Sequence, residues 1–270
     1  MAVLKNKVCL VTGAAGLLGS GFAEALLEAG ARVGLLDIND KALKSQEKRL
    51  KKKYQGRCLA VQVDITNEEN IRKAHQMILR HFGRIDVLIN NAANDPKVKK
   101  GVNSHFSRFE HFPLEQWEAD CAVGLRGSFL CCKIFGAQMA QQRSGVIVNI
   151  ASDLSVIAPD QRIYAQAGLK ESDQPVKPVT YSVIKTGLLG LTRYLATYWA
   201  HRNVRVNALS PGGIYTGQPQ AFVKRLTDLV PMGRMAEISE YRKAMIFLCS
   251  DASKYMTGQN LIMDGGRSVW

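Results

Sequence analysis

The chain has 270 residues, 46% of them apolar and 22% charged, with a net charge of +13 at neutral pH. That length supports a sizeable core in one domain, or at most two, and the balance carries no signature of disorder. The start has too short an apolar run for a secretory leader and no window reaches the length of a membrane span, so a soluble cytoplasmic protein without a membrane partner is expected.

Residues 7–12 form a short apolar run, as expected for a buried parallel strand. Thr12-Gly13-Ala14-Ala15-Gly16-Leu17-Leu18-Gly19 follows at once, then a helical stretch to about residue 29, Gly30 as its end, and a second strand over 32–37. Glycines at a strand-to-helix turn of a βαβ unit let the backbone approach a pyrophosphate, whose charge the helix N-terminus favours. This pattern predicts a dinucleotide site. Asp37 stands at the end of the second strand, where a carboxylate accepts hydrogen bonds from ribose hydroxyls and repels a 2′-phosphate. Ile38-Asn39 follow, with no Arg or Lys, so NAD is expected over NADP.

Residues 40–54 read as a basic helix, in which the stretch 41–53 carries Lys41, Lys44, Lys48, Arg49, Lys51, Lys52 and Lys53 against Glu47 alone. Such a run marks a solvated face. It has no interleaved aromatics or known motif, so no nucleic-acid partner is expected. A third strand over 58–63 ends in Asp64-Ile65. Thr66 or Asn67 caps a helix to about residue 82, with Glu68 and Glu69 in its first turn. A fourth strand over 87–89 closes with Asn90-Asn91-Ala92-Ala93, small residues that suit a flat ring.

Residues 94–113 lack a clear period. They contain Lys97, Lys99, Lys100 and Arg108 against Asp95 and Glu110, with His105 and His111. Long loops at this edge of a parallel sheet tend to be functional. The segment reads either as a basic lip over an anionic substrate, such as a phosphorylated or nucleotide-linked sugar, or as a solvated loop. No carboxylate-rich cluster accompanies the histidines, so no metal is expected. The six cysteines form no C-x-x-C pair and read as buried free thiols of a reducing compartment.

Residues 114–142 read as one long helix, bent or capped near Gly124 and Gly127 and apolar on most sides over 127–139, which suits burial between subunits. A fifth strand over 146–150 ends in Ala151-Ser152-Asp153. After an aperiodic stretch, Thr180 is placed to cap a helix running to about residue 201. On that helix Tyr181 and Lys185 share a face, and no other of the eight tyrosines has a lysine four residues on. A sixth strand over 205–209 closes with Ser210-Pro211-Gly212-Gly213-Ile214-Tyr215-Thr216. Short helices within 221–229 and over 239–249 precede a last strand, 260–263, and Asp264-Gly265-Gly266.

The glycine turn, Asp64, Asn90 to Ala93, Ser152, Tyr181 with Lys185, Pro211-Gly212 and Asp264-Gly265-Gly266 together resemble the short-chain dehydrogenase/reductase family over nearly the whole chain. The resemblance implies an α/β fold, a Rossmann-type doubly wound seven-stranded parallel sheet. It would form a single domain over 1–270, with insertions near 94–113 and 154–179. It also implies NAD(P) at the strand C-termini and a homotetramer or homodimer. Catalysis would fall to Ser152, Tyr181 and Lys185. Cofactor contacts would come from Gly13, Gly16, Leu17, Leu18, Gly19, Asp37, Ile38, Asp64, Ile65, Asn91, Ala92, Ala93, Tyr181, Lys185, Pro211, Gly212, Ile214 and Thr216.

Three features depart from the family pattern. Gly16 stands one position before the usual second glycine, which Leu17 replaces, a spacing closer to the extended branch of epimerases and dehydratases. Gly124 holds the place of the usual proton-relay asparagine. From Ser152 to Tyr181 is 29 residues, whereas the family spans less than half of that. The added stretch contains Tyr164, which has Gly168 four residues on and reads as a decoy; the insertion is expected over the substrate pocket. The stretch 150–192 also looks similar to oxidoreductases of bacterial surface-glycan sugar biosynthesis.

The expected reaction is hydride transfer between nicotinamide and a secondary alcohol or ketone of a sugar or sugar phosphate, with Tyr181 as general acid/base. Gly124 motivates a rival, a catalytically weak NAD-binding partner or sensor. The Gly16 spacing motivates another, an epimerase or dehydratase that recycles its NAD.

Overall fold

The computed structural model describes residues 3–94 and 107–270. Seven parallel strands stand in the order β3-β2-β1-β4-β5-β6-β7: β1 Val8–Thr12, β2 Arg32–Asp37, β3 Cys58–Gln62, β4 Val87–Asn90, β5 Gly145–Ile150, β6 Val204–Pro211 and β7 Asn260–Met263. The order reverses direction at β1, so the strand ends there open a crevice, where ligands of such sheets bind.

Both faces of the sheet are covered because alternate strand residues point to opposite sides. Cys9 and Val11 join a core with Phe22, Leu26, Tyr241 and Met245, from α1 Leu17–Glu28 and from the C-terminal helix Ile238–Cys249. Val8 and Leu10 join the other core, with Ile71 and Ile78 of Glu68–Phe82 and with Phe135, Met139 and Leu195. The basic helix, α2 Asp40–Lys53, buries Leu43, Gln46 and Leu50 and turns its lysines to solvent, as its pattern predicts. Asn67 rather than Thr66 caps the next helix, α3 Glu68–Phe82, accepting from Asn70 N at 3.1 Å; Thr66 instead donates to Asp64.

The stretch predicted as one bent helix is α4 Leu114–Cys121, a π-helical segment Ala122–Gly127, α5 Ser128–Cys131, a second π segment Cys132–Gly136 and α6 Ala137–Gln142. The first π segment coincides with the two glycines. A Cβ on Gly124 would lie 2.5 Å from Ile184 Cγ2, and one on Gly127 would lie 2.7 Å from Ile65 Cδ1. The widened turns let this helix pack closely on two neighbours.

α7 Val179–Tyr198 ends earlier than expected and is followed by a 3-10 turn, Ala200–Arg202. Thr180 is not its cap. Pro178 occupies that position without a side-chain bond, and Thr180 Oγ1 donates to buried Asp120 Oδ2 at 2.6 Å. The hydroxyl thus serves a buried carboxylate on a neighbouring helix. α8 Gln220–Thr227 and α9 Ile238–Cys249 complete the helices among the described residues.

Five cysteines are buried and free, and Cys121 is half-buried and free. Burial pushes the Cys132 and Cys249 thiols up to about 12.

Thr180→Val keeps the shape of the side chain but leaves the Asp120 carboxylate short of a donor. It is expected to cost about 1–3 kcal/mol of stability in urea unfolding.

Candidate active site

The strand C-termini open into one cleft of about 1400 Å³. Its first wall is the glycine turn. Gly13 has φ +62°, and a Cβ there would lie 2.8 Å from Ala92 Cα, so the turn needs glycine to lie against the end of β4. Asn91 fixes that approach, donating from Nδ2 to Thr12 O at 3.0 Å and Gly13 O at 3.1 Å. Gly16 is the N-cap of α1, whose first turn carries neither a side-chain cap nor an acidic residue. Its N–H groups are therefore available to an anion, which fits a pyrophosphate.

Asp37 has two roles. Its Oδ2 accepts from Ala15 N and its Oδ1 from Asn39 N, both at 2.9 Å, so it ties the glycine turn to the end of β2 while lining the cleft. Asp64 similarly accepts from Thr66 N at 2.8 Å and from its hydroxyl at 2.7 Å. Of the sequence-derived cofactor residues, Gly13, Gly16, Leu17, Leu18, Asp37, Ile38, Asp64, Ile65, Asn91, Ala92, Ala93, Tyr181, Lys185, Pro211, Gly212, Ile214 and Thr216 line the cleft. Gly19 instead lies beneath the turn, where a Cβ would come 2.2 Å from Gly13 O.

Ser152, Tyr181 and Lys185 line the same cleft. Lys185 is buried at 6% exposure, and its Nζ donates to Ile150 O at 2.7 Å, at the end of β5. Its ammonium lies 5.8 Å from the centre of the Tyr181 ring. A buried chain holds the helix beneath this pair: Asn90 Nδ2 donates to Asn149 Oδ1 at 2.9 Å, and Asn149 Nδ2 to Thr192 Oγ1 at 2.8 Å. Ser152 donates to Asp153 Oδ1 at 2.8 Å. The other oxygen of Asp153 accepts from Arg267 Nη1 at 2.8 Å, and the two side chains are only 6% and 8% exposed. Arg267 reaches back because Asp264 accepts from Gly266 N and Ser268 N and so turns the chain.

The insertion walls the far end of the cleft. It forms 3-10 turns at Asp153–Ser155, Gln161–Tyr164 and Glu171–Asp173. Tyr164, the decoy, also lines the cleft and meets Phe222 of α8 at 5.7 Å between ring centres. Arg225 of α8 donates to Ile163 O at 3.0 Å and Ala165 O at 2.9 Å. Sequence reasoning missed Arg225, Arg267, Lys177 and Phe222. The one available signal was that the insertion must have something to pack on. Of the proposed basic lip, Lys97, Lys99, Lys100, Asp95 and His105 fall outside the described residues. Arg108 pairs with Glu110 and donates to Glu171 O at 2.9 Å, so it braces the insertion.

The short chain dehydrogenase family model matches residues 7–226, and the chain belongs to that family of oxidoreductases. A curated NAD-dependent glycerol dehydrogenase of Listeria innocua is 36% identical, over 98% of this chain and 95% of that protein. A D-threitol dehydrogenase of Mycolicibacterium smegmatis is 32% identical, over 98% and 94%. Among solved structures, a gluconate 5-dehydrogenase from Burkholderia cenocepacia, in complex with NADP and tartrate, superposes with a TM-score of 0.85 at 25% identity, covering 100% of this chain and 98% of that one.

Gly124→Asn, which restores the family's residue, drives its Cβ into Ile184 and is expected to cost about 1–3 kcal/mol of stability. In the double mutant with Ile184→Ala the loss should be smaller than the sum of the two singles, measured by denaturant unfolding.

Proposed function

We propose that the protein is an NAD-dependent dehydrogenase or reductase of a secondary alcohol or ketone on a polyol, sugar or sugar phosphate. The observation that carries this reading is Tyr181 in the cleft wall beside the buried Lys185 ammonium. A cation near a phenol favours its ionised form. In oxidation, tyrosinate takes the hydroxyl proton of the substrate as the C–H electron pair leaves as hydride; in reduction, Tyr181 returns that proton to the carbonyl oxygen. Bound NAD supplies the hydride acceptor. The residues of this chain that would hold it are the α1 N-terminus for pyrophosphate, Asp37 for the adenosine ribose, Asn91 to Ala93 beside adenosine, Lys185 for the nicotinamide ribose, and Ile214 and Thr216 on the carboxamide side.

Ser152 would bind the reacting oxygen. Its proton is directed to Asp153 and one lone pair accepts from Leu154 N at 3.2 Å, which leaves the other lone pair for an alcohol O–H. The Asp37 carboxylate supports NAD over NADP. A polar substrate is supported by the glycerol and threitol dehydrogenases among the relatives. An anionic one is supported by Lys177 and Arg225 in the cleft wall. The free thiols suit a reducing compartment such as the cytosol.

The assembly we favour is a homotetramer. Phe129 on α5 is 49% exposed, and on α7 Val183, Tyr194 and Tyr198 are 42%, 63% and 56% exposed, an apolar surface that suits a copy of the chain. Sedimentation should give a tetramer; a monomer refutes this.

Tyr181→Phe is expected to lower turnover by about 10²–10⁴-fold or more while NAD binding persists, read from NADH absorbance over a panel of polyols and sugar phosphates. Activity that survives the change overturns the mechanism. In the unaltered protein, turnover without net NADH points to an epimerase or dehydratase. NAD binding without any turnover points to a partner or sensor protein.

A further inference from the structure

The insertion brings a second cation to Tyr181. Lys177 Nζ lies 3.7 Å from the centre of the Tyr181 ring, closer than Lys185 Nζ at 5.8 Å. Its position is braced. Lys177 N donates to Gln161 Oε1 at 2.8 Å, and Val176 N to Ser107 Oγ at 3.2 Å. Pro178, the next residue, is the N-cap of the helix that carries Tyr181, so the lysine and the tyrosine are joined by a short, stiff piece of chain. Both line the cleft.

An ammonium over an aromatic face is attracted by the neutral ring and more strongly by one bearing a full negative charge. The remaining charged groups of the cleft wall are Asp153, Arg267, Arg225, Asp37 and Asp64. Asp153 is paired with Arg267. Arg225 serves two carbonyls of the insertion. Asp37 and Asp64 belong to the cofactor end. Asp120, on the helix packed against the start of α7, accepts from Thr180 and Gln116. Among the described residues, Lys177 and Lys185 are the two cations over the Tyr181 ring.

We propose that Lys177 is a positioning residue of the reaction, a second ammonium supplied by the insertion that stabilises the tyrosinate of Tyr181 alongside Lys185. The role suits a site in which residue 124 carries no side chain to help manage the proton. Once Tyr181 has given its proton to water in the cleft, the charge of the tyrosinate would be stabilised by both ammonium groups until it takes the alcohol proton.

The inference rests on the reading of Tyr181 as the acid/base group, and the experiment separates the two. Ultraviolet difference titration of the full chain with NAD bound, compared with Tyr181→Phe, isolates the ionisation of Tyr181. In Lys177→Met, and equally in Lys177→Gln, the midpoint is expected to rise by about one unit or more. The alkaline shift should recur in the pH profile of kcat/KM. Lys177→Arg, which keeps the charge, is expected to hold the midpoint near that of the unaltered protein. NAD affinity should stay the same in all three. An unmoved midpoint in Lys177→Met overturns the proposal, as does an equal rise in Lys177→Arg. If Tyr181→Phe removes no titrating signal below the free-phenol range, the acid/base reading itself fails.

Discussion

A buried ammonium at the end of β5 is the constraint around which the site is arranged. Lys185 is 6% exposed and gives one of its three donors to Ile150 O. Burying that charge is costly unless its remaining donors are also served. The fold meets part of the demand by fixing the helix on which the lysine rides. Thr180 anchors the start of α7 to Asp120, and Thr192 anchors its middle to Asn149. With α7 held at two points, the lysine and the tyrosine one turn before it cannot drift from the strand ends.

The two ends of the cleft are built differently. One end is a wall of strand ends and a glycine turn, short in sequence and regular in form. The other end draws on three distant parts of the chain: the insertion, α8 and the C-terminal turn. Arg225 joins the first two through carbonyls, and a small apolar cluster of Ile163, Leu226 and Met235 lies between them. Arg108 braces the insertion from another side. The insertion is therefore a packed piece of the cleft wall.

This contrast explains what could be read from the residues alone. The strands, the order of helices and most of the residues that line the cleft were legible because they depend on local signals: apolar runs, glycine at a turn, a carboxylate at a strand end. The Tyr181–Lys185 pair was legible because helical spacing sets it. Thr180 was misread because capping residues and buried hydroxyls look alike in sequence; its partner Asp120 lies 60 residues away. Gly19 was read from its spacing alone, and the fold adds that a side chain there would meet Gly13 O. Gly124 was seen as a missing asparagine, but that Ile184 fills the space required the fold. Arg225, Arg267 and Lys177 carried no pattern at all, since each acts through a partner that only tertiary structure supplies.

The pairing of Asp153 with Arg267 has a consequence for the order in which the site comes into being. The partners stand 114 residues apart. During synthesis at about 5–20 residues per second, Asp153 waits roughly 6–23 s for its guanidinium. Through that interval the strand end beside Ser152 carries a carboxylate without its counter-ion; at its start the glycine turn and the first five strands have already been made and β6 has not. The carboxylate beside Ser152 thus gains its ion-pair partner only once residue 267 has been made.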